Sequence, residues 1–292
     1  MLDLCLIQLP NLALETPKMY QPLGNLYLMA MTKRAGYKVQ LLDFRDGIGE
    51  VPGARFYGFS CTTPEISMAK QIAKKVKGET IVGGAHPSLL PDDCVDSFDY
   101  IVRGEGEYVL LDILGGKVQP GVVAAPRIKD LDKLPLPDWD SSPEPFSRTL
   151  YTGERYGQGA VSMAVIASRG CPYNCHFCGN IYNAPVIFRS VRNILKELFA
   201  LMTRDVYHYR FVDDNFTLHP QFSDLCQQLQ RHNIVYRCHT RSNLVTTEKA
   251  QALKESGCEE CSLGVESADD YVLKLNNKRE TVADHIQAVR IL

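Results

Sequence analysis

The sequence predicts an α/β protein in two parts: a doubly wound domain over residues 1–115 and a partial (β/α) barrel over residues 157–292. In both halves short apolar runs alternate with amphipathic stretches, as in βα units joined by right-handed crossovers in a parallel sheet. Residues 116–156 turn rich in Pro, Asp, Lys and Ser, including Leu134-Pro135-Leu136-Pro137-Asp138-Trp139-Asp140. Proline at that density reads as a linker without regular structure. Small and polar residues also gather just past the strand runs, where parallel sheets bind ligands.

The elements follow in order. Leu2 to Leu9 is a strand ending at Pro10, Leu23 to about Gly36 an amphipathic helix, and Tyr37 to Asp43 the second strand. Phe56 to Ser60, Thr80 to Val82 and Tyr100 to Val102 are further strands, with a helix over Glu65 to Lys77. Past the last three strands lie Ser60-Cys61-Thr62-Thr63, Gly83-Gly84-Ala85-His86 and Arg103-Gly104-Glu105-Gly106-Glu107. Glycines there let backbone N–H groups approach a ligand closely, although each loop alone is equally a tight turn. The lone Trp139 reads as an anchor of the linker on a domain surface.

The second half restarts the alternation. Met163 to Ala167, Arg210 to Asp213, Val235 to His239 and Cys261 to Val265 read as strands. Helices are expected over Val191 to Met202, Pro220 to Arg231, Thr246 to Ser256 and Val282 to Leu292. Four βα units in series begin a barrel whose site lies at the carboxyl ends of its strands. His239 reads as packing, and Cys258 and Cys261 as two thiols at the start of a buried strand.

At 292 residues the chain suits two domains, and 45% hydrophobic with 23% charged residues is ordinary. A formal charge of −2 gives no general case for nucleic acid or an anionic membrane. No apolar run is long enough to span a bilayer, and Asp3 interrupts the first apolar segment, where a signal peptide would be positive. These features predict a cytoplasmic protein, whose ten cysteines read as metal ligands or free thiols.

Chemistry concentrates in Cys171-Pro172-Tyr173-Asn174-Cys175-His176-Phe177-Cys178, three thiols at the spacing C-x3-C-x2-C just after a strand. Chance placement of that pattern has a probability of about one per cent. A zinc knuckle completed by His176 or a distant Cys is one reading. A 4Fe-4S cluster held by three cysteines is the other, and it leaves one iron open to a small molecule.

Ser168-Arg169-Gly170 followed by that stretch resembles the cluster loop of radical S-adenosylmethionine (radical SAM) enzymes. Pro22-Leu23-Gly24, Gly83-Gly84-Ala85-His86-Pro87, Arg103-Gly104-Glu105-Gly106-Glu107, the Leu-Pro-Leu-Pro-Asp-Trp linker, Phe211-Val212-Asp213-Asp214-Asn215-Phe216 and Leu263-Gly264-Val265-Glu266-Ser267 narrow the resemblance to the subfamily with a cobalamin-binding domain. The resemblance implies a Rossmann-like, cobalamin-binding domain ahead of a radical SAM barrel. It implies Cys171, Cys175 and Cys178 as ligands of a 4Fe-4S cluster, whose open iron chelates S-adenosylmethionine. One electron then yields a 5'-deoxyadenosyl radical.

Residue by residue, Phe177 matches the aromatic near adenine, and Asp213 and Asp214 the acids that orient the amino group. Glu266 and Ser267 match the ribose or methionine contacts, and Arg241 is a candidate fork for the carboxylate. In the first domain Ser60, Thr62, Thr63, Gly83, Gly84, His86, Gly104, Glu105 and Gly106 would contact cobalamin. A cobalt-ligating Asp-x-His-x-x-Gly motif is not found: its place reads Asp43-Phe44-Arg45-Asp46-Gly47.

The implied reaction is methyl transfer to an unactivated centre of a small-molecule or natural-product-like substrate, with flavodoxin or ferredoxin as electron donor. Rearrangement or cyclisation, or a non-catalytic cobalamin or cluster carrier, are the alternatives. The family's barrel ordinarily has six βα units and this chain shows four. A longer parent protein or a second chain completing the barrel is therefore expected.

Overall fold

The computed structural model describes residues 1–11, 13–14, 18, 21–142, 162–179, 181–182 and 185–292. They form two compact units: Met1–Lys129 with residues 133–142, and Asp130–Asp132 with residues 162–292. The part of the expected linker over residues 143–156, and the expected start of the barrel domain at residue 157, lie outside the described residues.

The first unit is a six-stranded, fully parallel sheet. Its elements are β1 (Leu2–Gln8), α1 (Leu23–Arg34), β2 (Val39–Asp43), β3 (Ala54–Ser60), α2 (Ile66–Ala73), β4 (Glu79–Gly83), α3 (Ala85–Leu89), β5 (Tyr100–Arg103), α4 (Gly106–Leu114) and β6 (Gly121–Ala124). The strands run in the order β2-β1-β3-β4-β5-β6, so the chain reverses its direction of winding between β1 and β3. That reversal opens a crevice at the carboxyl ends of those strands.

Side chains of β1 alternate between two cores. Cys5 and Ile7 pack with Ile66, Ala69 and Ile72 of α2, whereas Leu4 and Leu6 pack with Met29 of α1 and Val109, Leu110 and Ile113 of α4. Burial on both faces explains why β1 reads as an unbroken apolar run instead of an alternating one. Three elements, the short α3, α4 and β6, go beyond the sequence reading. α4 follows directly on Gly104-Glu105-Gly106, whose glycines masked a helix start, and β6 pairs with β5 inside the segment expected to be irregular. Four residues of strand supported by one neighbour leave little sequence signal. Trp139 is buried in this unit.

The second unit carries β7 (Ser162–Val165), β8 (Ser168–Arg169), β9 (Ile187–Phe188), α5 (Val191–Met202), β10 (His208–Phe211), α6 (Phe222–Arg231), β11 (Val235–Thr240), α7 (Thr247–Glu255), β12 (Cys258–Leu263), α8 (Asp270–Leu275) and α9 (Val282–Ile291). β7, β10, β11 and β12 are neighbours in chain order and all parallel, as successive βα units require. Side-chain caps set the helix starts: Ser190 for α5, Thr246 for α7, Asp269 for α8, and Thr281 with Asp284 in a capping box for α9. Phe211, Phe216 and Tyr236 pack ring against ring behind the sheet, with centroids 4.6–5.5 Å apart.

One expectation is corrected. β12 begins at Cys258 and not at Cys261, and its residues are half-buried or exposed because it lies at the edge of this sheet. Cys258 instead meets the buried Cys238 of β11, with sulfurs 3.9 Å apart.

Candidate active site

A cavity of about 370 Å³ opens at the carboxyl ends of β10, β11 and β12, and Cys171, Cys175 and Cys178 all line it. The loop bearing them leaves β7 and is pinched at its base by the antiparallel pair β8–β9, Ser168 opposite Phe188 and Arg169 opposite Ile187. Beneath that pair lies the buried Arg189, which donates to Ile166 O at 2.8 Å, to Asn193 Oδ1 at 2.7 Å, and to Glu197.

Asp213 and Asp214, adjacent in sequence, do different things. Asp213 is buried and accepts from the backbone N–H of Ala167, at 3.0 and 3.1 Å, and from the Ser168 hydroxyl. It ties the end of β10 to the end of β7. Burial pushes its carboxyl up to about 6, against the lowering effect of those hydrogen bonds. Asp214 is exposed, and both acids line the cavity. The following Asn215 is buried, and its Nδ2 donates to Cys171 Sγ at 3.2 Å.

Arg241 lines the same cavity. Its guanidinium stacks on Tyr173, 3.8 Å from the ring centroid, donates to Lys278 O, and pairs with the buried Glu280 at 3.0 Å. Nη1 then reaches Cys175 Sγ at 3.4 Å. Of the fork expected to hold a carboxylate, Nη1 and Nη2 are engaged within the protein, whereas Nε has no hydrogen-bond partner among the described residues. Phe177 is half-exposed on the cavity wall, and Glu266 lines the cavity with φ +62°, 3.5 Å from Lys278 Nζ. Ser267 is not among the lining residues; its hydroxyl accepts from Asp269 N–H in a tight turn. His239, expected to pack, is exposed and lines the cavity.

Sequence reasoning missed the segment Asn276–Glu280, which clasps the cysteine loop. His176 N–H donates to Asn276 O and Asn277 Nδ2 to Asn174 O, both at 2.9 Å, and Lys278 lies 5.8 Å from the Phe177 ring centre. Asn276-Asn277-Lys278-Arg279-Glu280 reads as an ordinary solvated turn, and only its contacts reveal it.

In the first unit Ser60 ends β3, Gly83 ends β4 and Gly104 follows β5, so all three loops meet one edge of the sheet. Gly84 has φ +101°, and a Cβ there would lie 2.7 Å from Cys61 O, so the position requires glycine. Thr62 caps the turn with Glu65, its N–H and hydroxyl donating to Glu65 Oε2 at 2.6 and 2.9 Å. Glu105 is buried, accepts from Ile128 N–H at 2.6 Å and pairs with Arg127 at 2.9 Å, while Gly106 starts α4. His86 is buried with both ring nitrogens engaged, Nδ1 on Thr63 Oγ1 at 3.2 Å and Nε2 on Asp93 at 2.9 Å.

Among the described residues, only His86, Asp93 and Cys94 bring three candidate ligand atoms within 4.8 Å of one another. Lys70 already occupies the shared Asp93 oxygen at 2.9 Å, which opposes a cation there. Cys171, Cys175 and Cys178 line one cavity at the spacing C-x3-C-x2-C, a three-thiol donor set of the kind that holds a 4Fe-4S cluster with one iron open.

Residues 165–292 match the Radical SAM superfamily, and residues 12–114 match the B12 binding domain. The chain thus carries a B12-binding domain ahead of a radical SAM domain, a pairing whose cofactors are cobalamin, a 4Fe-4S cluster and S-adenosylmethionine. It is 28% identical to the "uncharacterized methyltransferase PH0819" of Pyrococcus horikoshii over 92% of this chain and 66% of that protein. It is 26% identical to bacteriochlorophyllide d C-12(1)-methyltransferase of Chlorobaculum tepidum, over 91% of this chain and 60% of that protein. The chain thus spans less than two thirds of the length of these curated relatives. Among solved structures, the radical S-adenosylmethionine methyltransferase TsrM of Kitasatospora setae, with tryptophan substrate and a SAM analogue bound, shares the fold. That match has a TM-score of 0.75 at 15% identity and covers 99% of this chain and 65% of TsrM. No helix among the described residues is long and apolar enough to cross a membrane.

Proposed function

We propose that this chain is the cofactor-bearing part of a cobalamin-dependent radical SAM methyltransferase acting on a small molecule. The observation that carries the reading is the cavity, which three thiols line together with an exposed Asp214 and a Glu266 beside Lys278. When bound, the cluster supplies the electron that cleaves S-adenosylmethionine to a 5'-deoxyadenosyl radical, and cobalamin carries the transferred methyl group.

The chain's own residues bind and orient. Cys171, Cys175 and Cys178 would hold the cluster, leaving one iron without a protein ligand. Asp214 is placed to pair with the cosubstrate ammonium, Glu266 to accept from hydroxyl or amino groups, and Phe177 to stack on adenine.

In the first unit the backbone at Gly84 and Gly104 can come close to a large ligand. Asn25, in the first turn of α1, donates to Oε1 of Gln8, the last residue of β1, at 3.0 Å, while its buried Oδ1 has no partner among the described residues. An unspent acceptor beside that edge suits the amide side chains of cobalamin. Because His86 is held by Thr63 and Asp93, it is not a cobalt ligand. A reducing, cytoplasmic compartment, an electron donor of the flavodoxin or ferredoxin type, and further chain or a second chain enclosing the substrate complete the reading.

Anaerobic reconstitution tests it. About four iron and four sulfide per chain, lost in Cys175→Ala, support the cluster, and a visible-absorbance titration reads cobalamin binding. Reduction with S-adenosylmethionine present should release 5'-deoxyadenosine. Bound tetrahedral zinc in place of iron and sulfide would falsify the proposal. 5'-Deoxyadenosine formed by a chain that binds no cobalamin would instead point to rearrangement or cyclisation.

A further inference from the structure

We infer that Asn215 and Arg241 are positioning residues that raise the reduction potential of the cluster, by donating hydrogen bonds, and in the case of Arg241 a positive charge, to the sulfurs of Cys171 and Cys175. The inference rests on the reading of the three cysteines as cluster ligands, and it gives Arg241 a task other than binding the cosubstrate carboxylate.

The two donors differ in kind but share one property, fixed placement. Asn215 is 4% exposed, at the turn leaving β10, with Nδ2 3.2 Å from Cys171 Sγ. Arg241 is 6% exposed and held on three sides, by the Tyr173 ring, by Lys278 O and by Glu280, so Nη1 is aimed at Cys175 Sγ, 3.4 Å away. A guanidinium does not lose its proton in a protein, so the charge is permanent. Holding it there costs the chain a buried carboxylate, a large investment for a solvent-facing ion pair and a sensible one for a fixed field.

Reduction adds one electron, taken from a low-potential one-electron donor, and places part of that charge on the ligand sulfurs. No protein bond forms or breaks, and the Asn and Arg protons stay on nitrogen. N–H donors and a cation beside those sulfurs therefore favour the reduced form over the oxidised one. Cys178 has no side-chain donor among the described residues, so the tuning falls on two of the three ligands.

The test is a redox titration of the reconstituted full-length chain without S-adenosylmethionine, read by electron paramagnetic resonance of the reduced cluster, with iron and sulfide measured on each sample. Arg241→Met should lower the reduced-to-oxidised ratio at fixed potential about tenfold, a shift of about 59 mV for a one-electron couple. Asn215→Leu should lower it less. Glu280→Gln, which keeps the shape but removes the opposing charge, should move the potential the other way. A structural disturbance would not produce opposite signs. Unchanged potentials in loaded variants, or shifts of one sign in all three, overturn the inference. Failure of Arg241→Met and Asn215→Leu both to assemble a cluster would also overturn it, by making these residues necessary for assembly. A wild-type chain that assembles no cluster is a different outcome, because it defeats the functional reading itself.

Discussion

Asp213 and Asp214 stand one position apart and differ in burial, and that difference assigns their tasks. Asp213 is buried, holding Ala167 N–H and the Ser168 hydroxyl, whereas Asp214 is exposed, and both border the cavity. The folded-state value of Asp213, about 6, lies above its reference of 3.8. Between those values the folded state binds more protons than the unfolded state, so this group's contribution to stability falls as pH rises through the window. The full effect is about 3 kcal/mol. Asp213→Asn should therefore flatten the pH dependence of denaturant stability between about pH 4 and pH 6 relative to wild type. Equal slopes in the two proteins would contradict a burial cost that outweighs the hydrogen bonds to this carboxyl. The sequence motif marks both acids alike, because a one-residue alternation does not say which side of a strand end is sealed.

Among the elements, the cysteine loop is long and has almost no regular structure, so its shape depends on what surrounds it. The β8–β9 pair closes it from below and Asn276–Glu280 clasps it from the side. The Arg189–Glu197 pair fixes the backbone at Ile166 where the loop departs. Glu197 is 1% exposed, and removing it would leave the buried Arg189 without its counter-charge. Glu197→Ala is expected to cost the second unit about 3–5 kcal/mol and to lower cluster retention, measured by denaturant titration and by iron content after gel filtration. Long elements were readable in the sequence, and α5 runs over the expected Val191 to Met202. Short ones were not: β6, β8, β9 and α8 owe their form to a neighbouring strand, a hairpin partner or a cap, and each holds too few residues for a periodicity to register.

On the scale of the molecule, each unit buries its own core, one sandwiched between helices on both faces of a six-stranded sheet and one behind four parallel strands. Unfolding should proceed in two transitions. The protein's one tryptophan, Trp139, is buried in the first unit, so its fluorescence follows that unit alone. Gly84→Ala forces a Cβ against Cys61 O at a positive φ. It should shift the fluorescence transition by about 1–3 kcal/mol, whereas Glu197→Ala should shift only the remaining transition seen by far-ultraviolet circular dichroism. A fluorescence transition moved by Glu197→Ala would show the units to be coupled.

Read alone, the sequence determined the class of fold and marked three candidate cluster ligands, because alternation of apolar runs and the spacing of three thiols are properties of neighbours along the chain. Only the tertiary structure decided which polar residues are spent inside the protein and which remain for a ligand. Arg241, Asp213 and His86 carry the right chemistry for cofactor contacts, yet each is held by partners tens of residues away, respectively Glu280, Ala167 and Ser168, and Thr63. Lys278 and Glu280 look like a solvated turn and sit instead against the site. A hydrogen-bonding group has a limited number of donors and acceptors, and contacts distant in sequence determine where they go.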